Sequence, residues 1–161
     1  MPNLGWWRNE RGAVYVVVQL VLLALVATGP LQASWPLVPA VLREPALWTG
    51  GLFIVLGVTL AVVSVIALGR NLSPLPHPKA DATLVASGPY RLVRHPIYTG
   101  LILAAFGWAL FTNTFPTFAY ALALAVLFDI KSRREERALR KQFPKYAAYQ
   151  ERTKRLFPFI Y

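Results

Sequence analysis

Three long stretches of the chain carry no charge, and the charged residues crowd into the segments between and after them. Residues 12–42, 46–69 and 96–128 contain no Asp, Glu, Lys or Arg. A bilayer helix needs about 20 predominantly apolar residues, because the hydrocarbon layer is about 30 Å thick and a helix rises about 1.5 Å per residue. All three stretches reach that length. In the first, AVYVVVQLVLLALVATG predicts a span that ends near Pro30 and is followed by a loop with Pro36 and Pro39. A signal peptide is the alternative, since Arg8 and Arg11 precede the stretch. It is disfavoured because Pro30 directly follows the best small-residue cleavage candidate, Ala27, Thr28 and Gly29, and further spans lie downstream.

The second stretch, ALWTGGLFIVLGVTLAVVSVIALG, predicts one span, in which Gly57 and Ala61 form a small-x-x-x-small pair that lets a neighbouring helix approach closely. The third would measure about 50 Å as one helix, too long for one crossing. Thr112, Asn113 and Thr114, with Pro116 just after, supply turn chemistry near its middle. The pattern therefore predicts a helical hairpin over about 97–111 and 115–130 with short arms. Gly100 and Ala104 on one arm and Ala119 and Ala123 on the other are expected to pack closely against each other. The fold class is all-α: a polytopic membrane protein of about four transmembrane helices, with an aqueous loop and a C-terminal helical segment. The chain is expected to form a single integral membrane domain over 1–161, with two N-terminal spans in 1–69 and the loop, hairpin and tail in 70–161.

Composition agrees, with 56% hydrophobic residues in 161. Of the seventeen Lys and Arg residues, two precede the first span, one follows it, four lie in 70–95, none lies in the hairpin turn and ten follow residue 130. The positive-inside rule then places both termini and the 70–95 loop in the cytoplasm. A net charge of +10 raises nucleic acid as a partner. No nucleic-acid motif accompanies the charge, and a basic tail on a membrane protein is a topology signal that is also drawn to anionic head groups. The absence of Cys excludes disulfides, thiolate metal sites and a cysteine nucleophile. No metal site is expected.

Two polar segments carry candidate chemistry. SGPYRLVRHPIYTG, residues 87–100, holds a turn at Ser87, Gly88 and Pro89 and a helix start at Pro96, where a missing N–H costs nothing. His95 is then the N-cap, beside unpaired backbone donors at the positive end of a helix, where an anionic group can bind. The second segment runs from Asp129 and continues helical beyond the membrane. Lys131, Glu135 and Leu139 recur at i, i+4 and i+8 and share a face, with Arg134 on another. Phe143, Tyr146 and Tyr149 recur every third residue, the spacing of an aromatic stripe on a short helix. The ending RLFPFIY suits a membrane interface. By the charge rule both segments lie on one side of the membrane and can wall one site. Taken singly, each feature has a plainer structural explanation: topology-setting arginines, helix ion pairs between Glu135 and Lys131 or Arg134, and tyrosines anchored at the interface.

Their order and spacing carry more. GPYRLVRHPIYTG, an apolar hairpin, and then REERALRKQFPKYAAYQERTKRLFPFIY resemble the superfamily of isoprenylcysteine carboxyl methyltransferases and phospholipid methyltransferases, which are integral membrane enzymes. The resemblance covers about residues 70–161 and follows G-x-Y, R-H-P-x-Y-x-G and E-E-x-x-L-x-x-x-F, with Pro144 in place of the usual Gly. It implies an S-adenosylmethionine pocket lined by Thr83, Leu84 and Val85 through backbone contacts, with Tyr90 nearby and His95, Pro96, Ile97 and Tyr98 forming the wall at the start of the third helix. Glu135 would bind the amino group of the methionine moiety. A basic residue one turn earlier, an arginine in the carboxyl methyltransferases, would orient the acceptor. Here it is Lys131, which keeps the charge and loses the bidentate fork.

The activity so implied is S-adenosylmethionine-dependent methyl transfer to a lipophilic small-molecule or prenylated acceptor at the cytoplasmic membrane face, with Lys131 and Glu135 as the catalytic pair. Two other classes compete: an NADPH oxidoreductase like the membrane sterol reductases, whose C-terminal region is similar, and a non-catalytic membrane scaffold that keeps the fold. The reductases are much longer, with many more spans.

Overall fold

In the computed structural model, residues 12–32, 35–73 and 82–158 are described. The tail with Arg8 and Arg11, the stretch 74–81 and the last three residues of the aromatic ending lie outside the described residues. Five α-helices follow in order: α1 (Ala13–Thr28), α2 (Arg43–Leu68), α3 (Pro96–Thr112), α4 (Phe115–Gln142) and α5 (Tyr146–Arg152), with short 3-10 turns between them. By length and composition, α1 with its following turn, α2 with its flanking turns, and α4 can each cross a membrane. At 17 residues, α3 is shorter and about 25 Å long. The chain is thus an all-helical membrane protein with three long apolar helices and a fourth, short one.

The helix ends follow local chemistry. After α1 the chain tightens into the turn Gly29–Leu31, with Pro30 inside it, which has no N–H to continue the ladder. Pro96 opens α3 with His95 at the N-cap, as expected. Asn113 ends α3 in the left-handed region (φ 54°, ψ 47°), a conformation Asn tolerates better than most side chains. Its side chain then accepts a hydrogen bond from the Val38 N–H at 2.8 Å, and the Phe115 N–H donates to the Trp35 carbonyl at 3.1 Å. The loop after α1 is thereby tied to the hairpin turn. Pro144, two residues past α4, prevents the helix from continuing into α5.

α3 lies between α2 and α4, and α1 packs on α4. The α2–α3 contact is backbone on backbone. A Cβ on Gly57 would lie 2.5 Å from the Gly100 carbonyl oxygen, and a Cβ on Gly100 would lie 2.5 Å from that of Gly57. Gly50 and Gly107 repeat the arrangement at the other end, with built distances of 2.7 and 2.8 Å. Gly57 and Ala61 therefore do admit a close neighbour, and the neighbour is α3. The expected pairing of Gly100 and Ala104 with Ala119 and Ala123 is not found. Gly100 and Ala104 face Gly57 and Ala61, while Ala119 and Ala123 are exposed on the outer face of α4. Small residues mark a surface for close approach without naming the partner, and α2 offers glycines in matching register. Larger residues fill the space between α3 and α4, where Ile102, Ala105, Leu124, Leu127 and Phe128 form a core with Val26 of α1 and Leu156 of the tail.

Replacing Gly57 with Leu should force α2 and α3 apart and destabilise the protein by about 3 kcal/mol or more, because backbone stands where the side chain must go. Thermal unfolding in detergent tests this: Gly57→Leu should lower the midpoint clearly and Ala123→Leu should leave it near wild type. Equal effects would contradict the α2–α3 contact.

Candidate functional site

A cavity of about 230 Å³ opens at the end of the bundle opposite the hairpin turn. Its walls are the C-terminal end of α2, the segment 82–85, the first turns of α3, the outer half of α4, and α5. Ser73 and Ala82 lie on its rim, flanking the stretch outside the described residues. Its size is a little below the range of about 300–1,000 Å³ usual for small-molecule pockets.

The tail holds this end together. The N–H groups of Arg94 and His95 donate to the carbonyls of Lys154 (2.8 Å) and Arg155 (3.1 Å), and the Thr99 hydroxyl donates to that of Leu156 at 2.6 Å. The Arg94 guanidinium donates to the carbonyls of Gln150 and Thr153 and to Glu136, with Nε 2.6 Å from Oε1. Gln150 Nε2 donates to the second Glu136 oxygen at 2.8 Å, and Arg155 Nε lies 3.4 Å from it. Arg155 also reaches Asp129 at 3.2 Å. Both the Arg94 and Glu136 side chains are under a tenth exposed. In such surroundings either charge without the other would cost several kcal/mol, so the loop, α4 and the tail assemble together.

His95 joins this network to the cavity. Its Nδ1 lies 3.4 Å from Glu135 and its Nε2 lies 3.3 Å from Glu136. Burial works against a charged ring. The two carboxylates beside it outweigh that and raise the imidazole pKa above its ordinary 6.5. The start of α3 was expected to offer a place for an anion, and the anions beside His95 are the protein's own. The adjacent glutamates have separated roles: Glu136 faces the structural network and Glu135 lines the cavity, where the Tyr98 hydroxyl donates to it. Tyr98 stacks between His95 and Phe128, with ring centroids 5.5 and 4.5 Å away.

The segment 82–85 is held by a reciprocal pair. The Thr83 N–H donates to the Asn71 side chain at 2.9 Å, and the Asn71 amide donates back to the Thr83 hydroxyl at 3.4 Å. Tyr90 donates to the Ser64 carbonyl of α2 at 3.3 Å and accepts, through its own carbonyl, from Tyr149 at 2.5 Å. Burial pushes the Tyr149 hydroxyl pKa up to about 12, so it donates as a neutral phenol.

Of the residues singled out from the sequence, Thr83, Leu84, Val85, Tyr90, His95, Ile97, Tyr98, Lys131 and Glu135 all line this one cavity. Pro96 does not: it is fully buried where α3 begins and serves the helix start. Lys131, Glu135 and Leu139 do share the cavity face, while Arg134 stacks over the Tyr15 ring at 5.4 Å. Phe143, Tyr146 and Tyr149 bring their stripe to the same cavity. Sequence reasoning missed Arg94, Glu136 and Gln150 as one network, and it missed Gln19. That glutamine of α1 lines the cavity and accepts a hydrogen bond from Lys131 Nζ at 2.7 Å. The signal was available, since an amide in the middle of an apolar span requires a partner.

Comparison with known proteins adds a family. A model of the family described as phospholipid methyltransferase matches residues 45–146. The chain is 34% identical over 153 residues to the cobalt-zinc-cadmium resistance protein CzcN of Cupriavidus metallidurans, covering 94% of this chain and 64% of that protein. It is 33% identical over 157 residues to the nickel-cobalt-cadmium resistance protein NccN of Alcaligenes xylosoxydans xylosoxydans, covering 97% and 64%. A probable protein-S-isoprenylcysteine O-methyltransferase of Oryza sativa subsp. indica is 29% identical over 117 residues, covering 70% and 61%. The chain thus spans a little under two thirds of the length of these relatives. The family match takes in every cavity-lining residue except Gln19 and Tyr149, and on that match the chain belongs to the phospholipid methyltransferase family, within the superfamily that also holds the isoprenylcysteine methyltransferases.

Proposed function

We propose that this protein transfers a methyl group from S-adenosylmethionine to a lipophilic acceptor at the membrane face. The observation that carries the reading is Glu135, a carboxylate set in the cavity wall by His95 and Tyr98, across from the segment Thr83, Leu84 and Val85. S-adenosylmethionine supplies, when bound, a methyl group on a sulfonium centre that is open to in-line displacement. Its ammonium calls for a carboxylate and its sulfonium for apolar and aromatic surroundings, and Glu135 with the rings of Tyr90, Tyr98, Tyr146 and Tyr149 fits both.

The chain's own residues bind and orient. Glu135 takes the donor's ammonium, the backbone of 83–85 lines the other wall, and Lys131 faces the acceptor. No protein nucleophile is needed, because displacement at a methyl group gains most from holding the two reactants in line. The polar donor arrives from the aqueous side, past the rim at Ser73 and Ala82. The acceptor arrives sideways from the bilayer. The charge asymmetry of the loops supports a cytoplasmic placement of the site and both termini, and the whole chain acts as one membrane domain.

Calorimetry on purified protein in detergent tests the reading. S-adenosylmethionine or S-adenosylhomocysteine should bind at micromolar levels, and Glu135→Ala should weaken binding about tenfold or more. No binding, or binding indifferent to Glu135, would refute it, and NADPH binding in the same assay would favour a reductase instead. The raised pKa of His95 gives a pH test. Its folded value exceeds its unfolded one, so the stabilisation contributed by the imidazolium is complete below about pH 6.5 and is lost as the pH rises through the folded value. The unfolding midpoint of wild type should fall across that interval, and His95→Gln should lack that component of the fall; identical profiles would show that the ring is neutral.

A further inference from the structure

The segment that carries Thr83, Leu84 and Val85 along one wall of the cavity belongs to no helix. Among the described residues, the backbone N–H and carbonyl groups of Leu84 and Val85 make no hydrogen bond. A backbone edge of this kind beside a cavity is itself a recognition surface, because it offers donors and acceptors at fixed spacing. It discriminates between ligands only when something holds it in place. Here α2 does so.

Both ends of the stretch 83–90 are pinned to that helix. At one end Tyr90 donates to the Ser64 carbonyl at 3.3 Å. At the other, the chain leaves α2 through Gly69, whose φ of 52° and ψ of −124° suit glycine far better than any other residue. The 3-10 turn Gly69–Asn71 follows, and the Leu72 N–H donates to the Gly69 carbonyl at 3.1 Å. This turn delivers Asn71 to the cavity wall beside Thr83, twelve residues further along the chain. The Asn71 Oδ1 accepts from the Thr83 N–H at 2.9 Å, and its Nδ2 donates to the Thr83 hydroxyl at 3.4 Å. Two contacts on one residue fix its orientation as well as its position, and α2 itself is fixed on α3 by the paired glycines.

We propose that Asn71 is a positioning residue of the donor site: it sets the backbone edge of Leu84 and Val85 at the depth and tilt at which that edge reads the base of the methyl donor. Asn71 touches Thr83 and works through it. This rests on the methyl-transfer reading, in which the donor's ammonium lies at Glu135 and its base reaches the opposite wall. Adenine presents an acceptor, N1, next to a donor, the 6-amino group, and a backbone edge matches that pair in one register only. Hypoxanthine carries the reverse, a donor at N1 and an acceptor at C6, so the same edge would meet it with its groups left unpaired.

The full chain in detergent is titrated calorimetrically with S-adenosylhomocysteine and S-inosylhomocysteine, and amide hydrogen exchange over 82–86 is followed in the ligand-free protein. Wild type should prefer the adenosyl ligand by about tenfold or more. Asn71→Ala should speed exchange at Thr83 by about tenfold, weaken the adenosyl ligand and cut the preference to about threefold or less. Asn71→Asp keeps an acceptor for the Thr83 N–H, and the Thr83 hydroxyl can turn to donate to it, so exchange and preference should stay near wild type. A residue that only terminates α2 would lower the unfolding midpoint and weaken both ligands alike, so a preserved preference in Asn71→Ala would overturn the proposal. A lost preference with unchanged exchange would overturn it too, by showing that Asn71 meets the ligand directly. Equal wild-type affinities that still depend on Glu135 would end this proposal and leave the methyl-transfer reading standing. Binding of neither ligand would end that reading and the base assignment with it, and faster exchange in Asn71→Ala would then still establish Asn71 as the brace of the segment.

Discussion

The buried carboxylate of Glu136 meets Arg94, His95, Gln150 and Arg155, drawn from the loop before α3, from α5 and from the tail. Through it α4 is joined to three separate parts of the chain. A carboxylate out of water is tolerable only with its partners in place, and the same holds for the guanidinium of Arg94. The consequence is cooperative: α3 begins where it does, the tail lies along 93–95, and α5 is held over the cavity, all through one set of charges. Glu135 owes its position to its neighbour. With Glu136 turned into the network, the next side chain on α4 lies against the cavity, between the His95 ring and the Tyr98 hydroxyl.

A second constraint acts inside the membrane, where apolar burial gives helices little reason to choose one another. α2 and α3 meet through glycines that bring carbonyl oxygen to the opposite backbone at both ends of the contact. Close backbone approach gains dispersion along the whole length and fixes the register of the pair. The α2 end carrying Ser64, Leu68 and Asn71 is thereby set beside the loop with Tyr90 and Thr83, and the Tyr90–Ser64 and Thr83–Asn71 bonds follow. An ionic clasp on one side and a glycine seam on the other hold the two walls of the cavity at their spacing.

Much of this was legible in the chain. The charge-free stretches marked the helices, Pro96 marked a start, and the four-residue spacing of Lys131, Glu135 and Leu139 put them on one face. Nine of the residues picked out for a site came to one cavity. The misreadings concern partners. Gly100 was assigned to the nearest helix in sequence, α4, and packs instead on α2, because small-residue spacing describes a surface and leaves its counterpart open. Glu135 was picked out for the cavity, while the framework role of Glu136 beside it went unread, because it depends on where Arg94 and the tail lie.

Local chemistry determined the helical class, the helix ends, the membrane-crossing lengths and the likeness to a methyltransferase family, since each depends on residues within a few turns of one another. The tertiary structure decided that α3 seats on α2, that Glu136 serves the framework while Glu135 serves the cavity, and that Gln19 reaches Lys131 from 112 residues away. Those outcomes turn on which surfaces fit and which buried charges find partners. Both are properties of the assembled chain, and no window along it contains them.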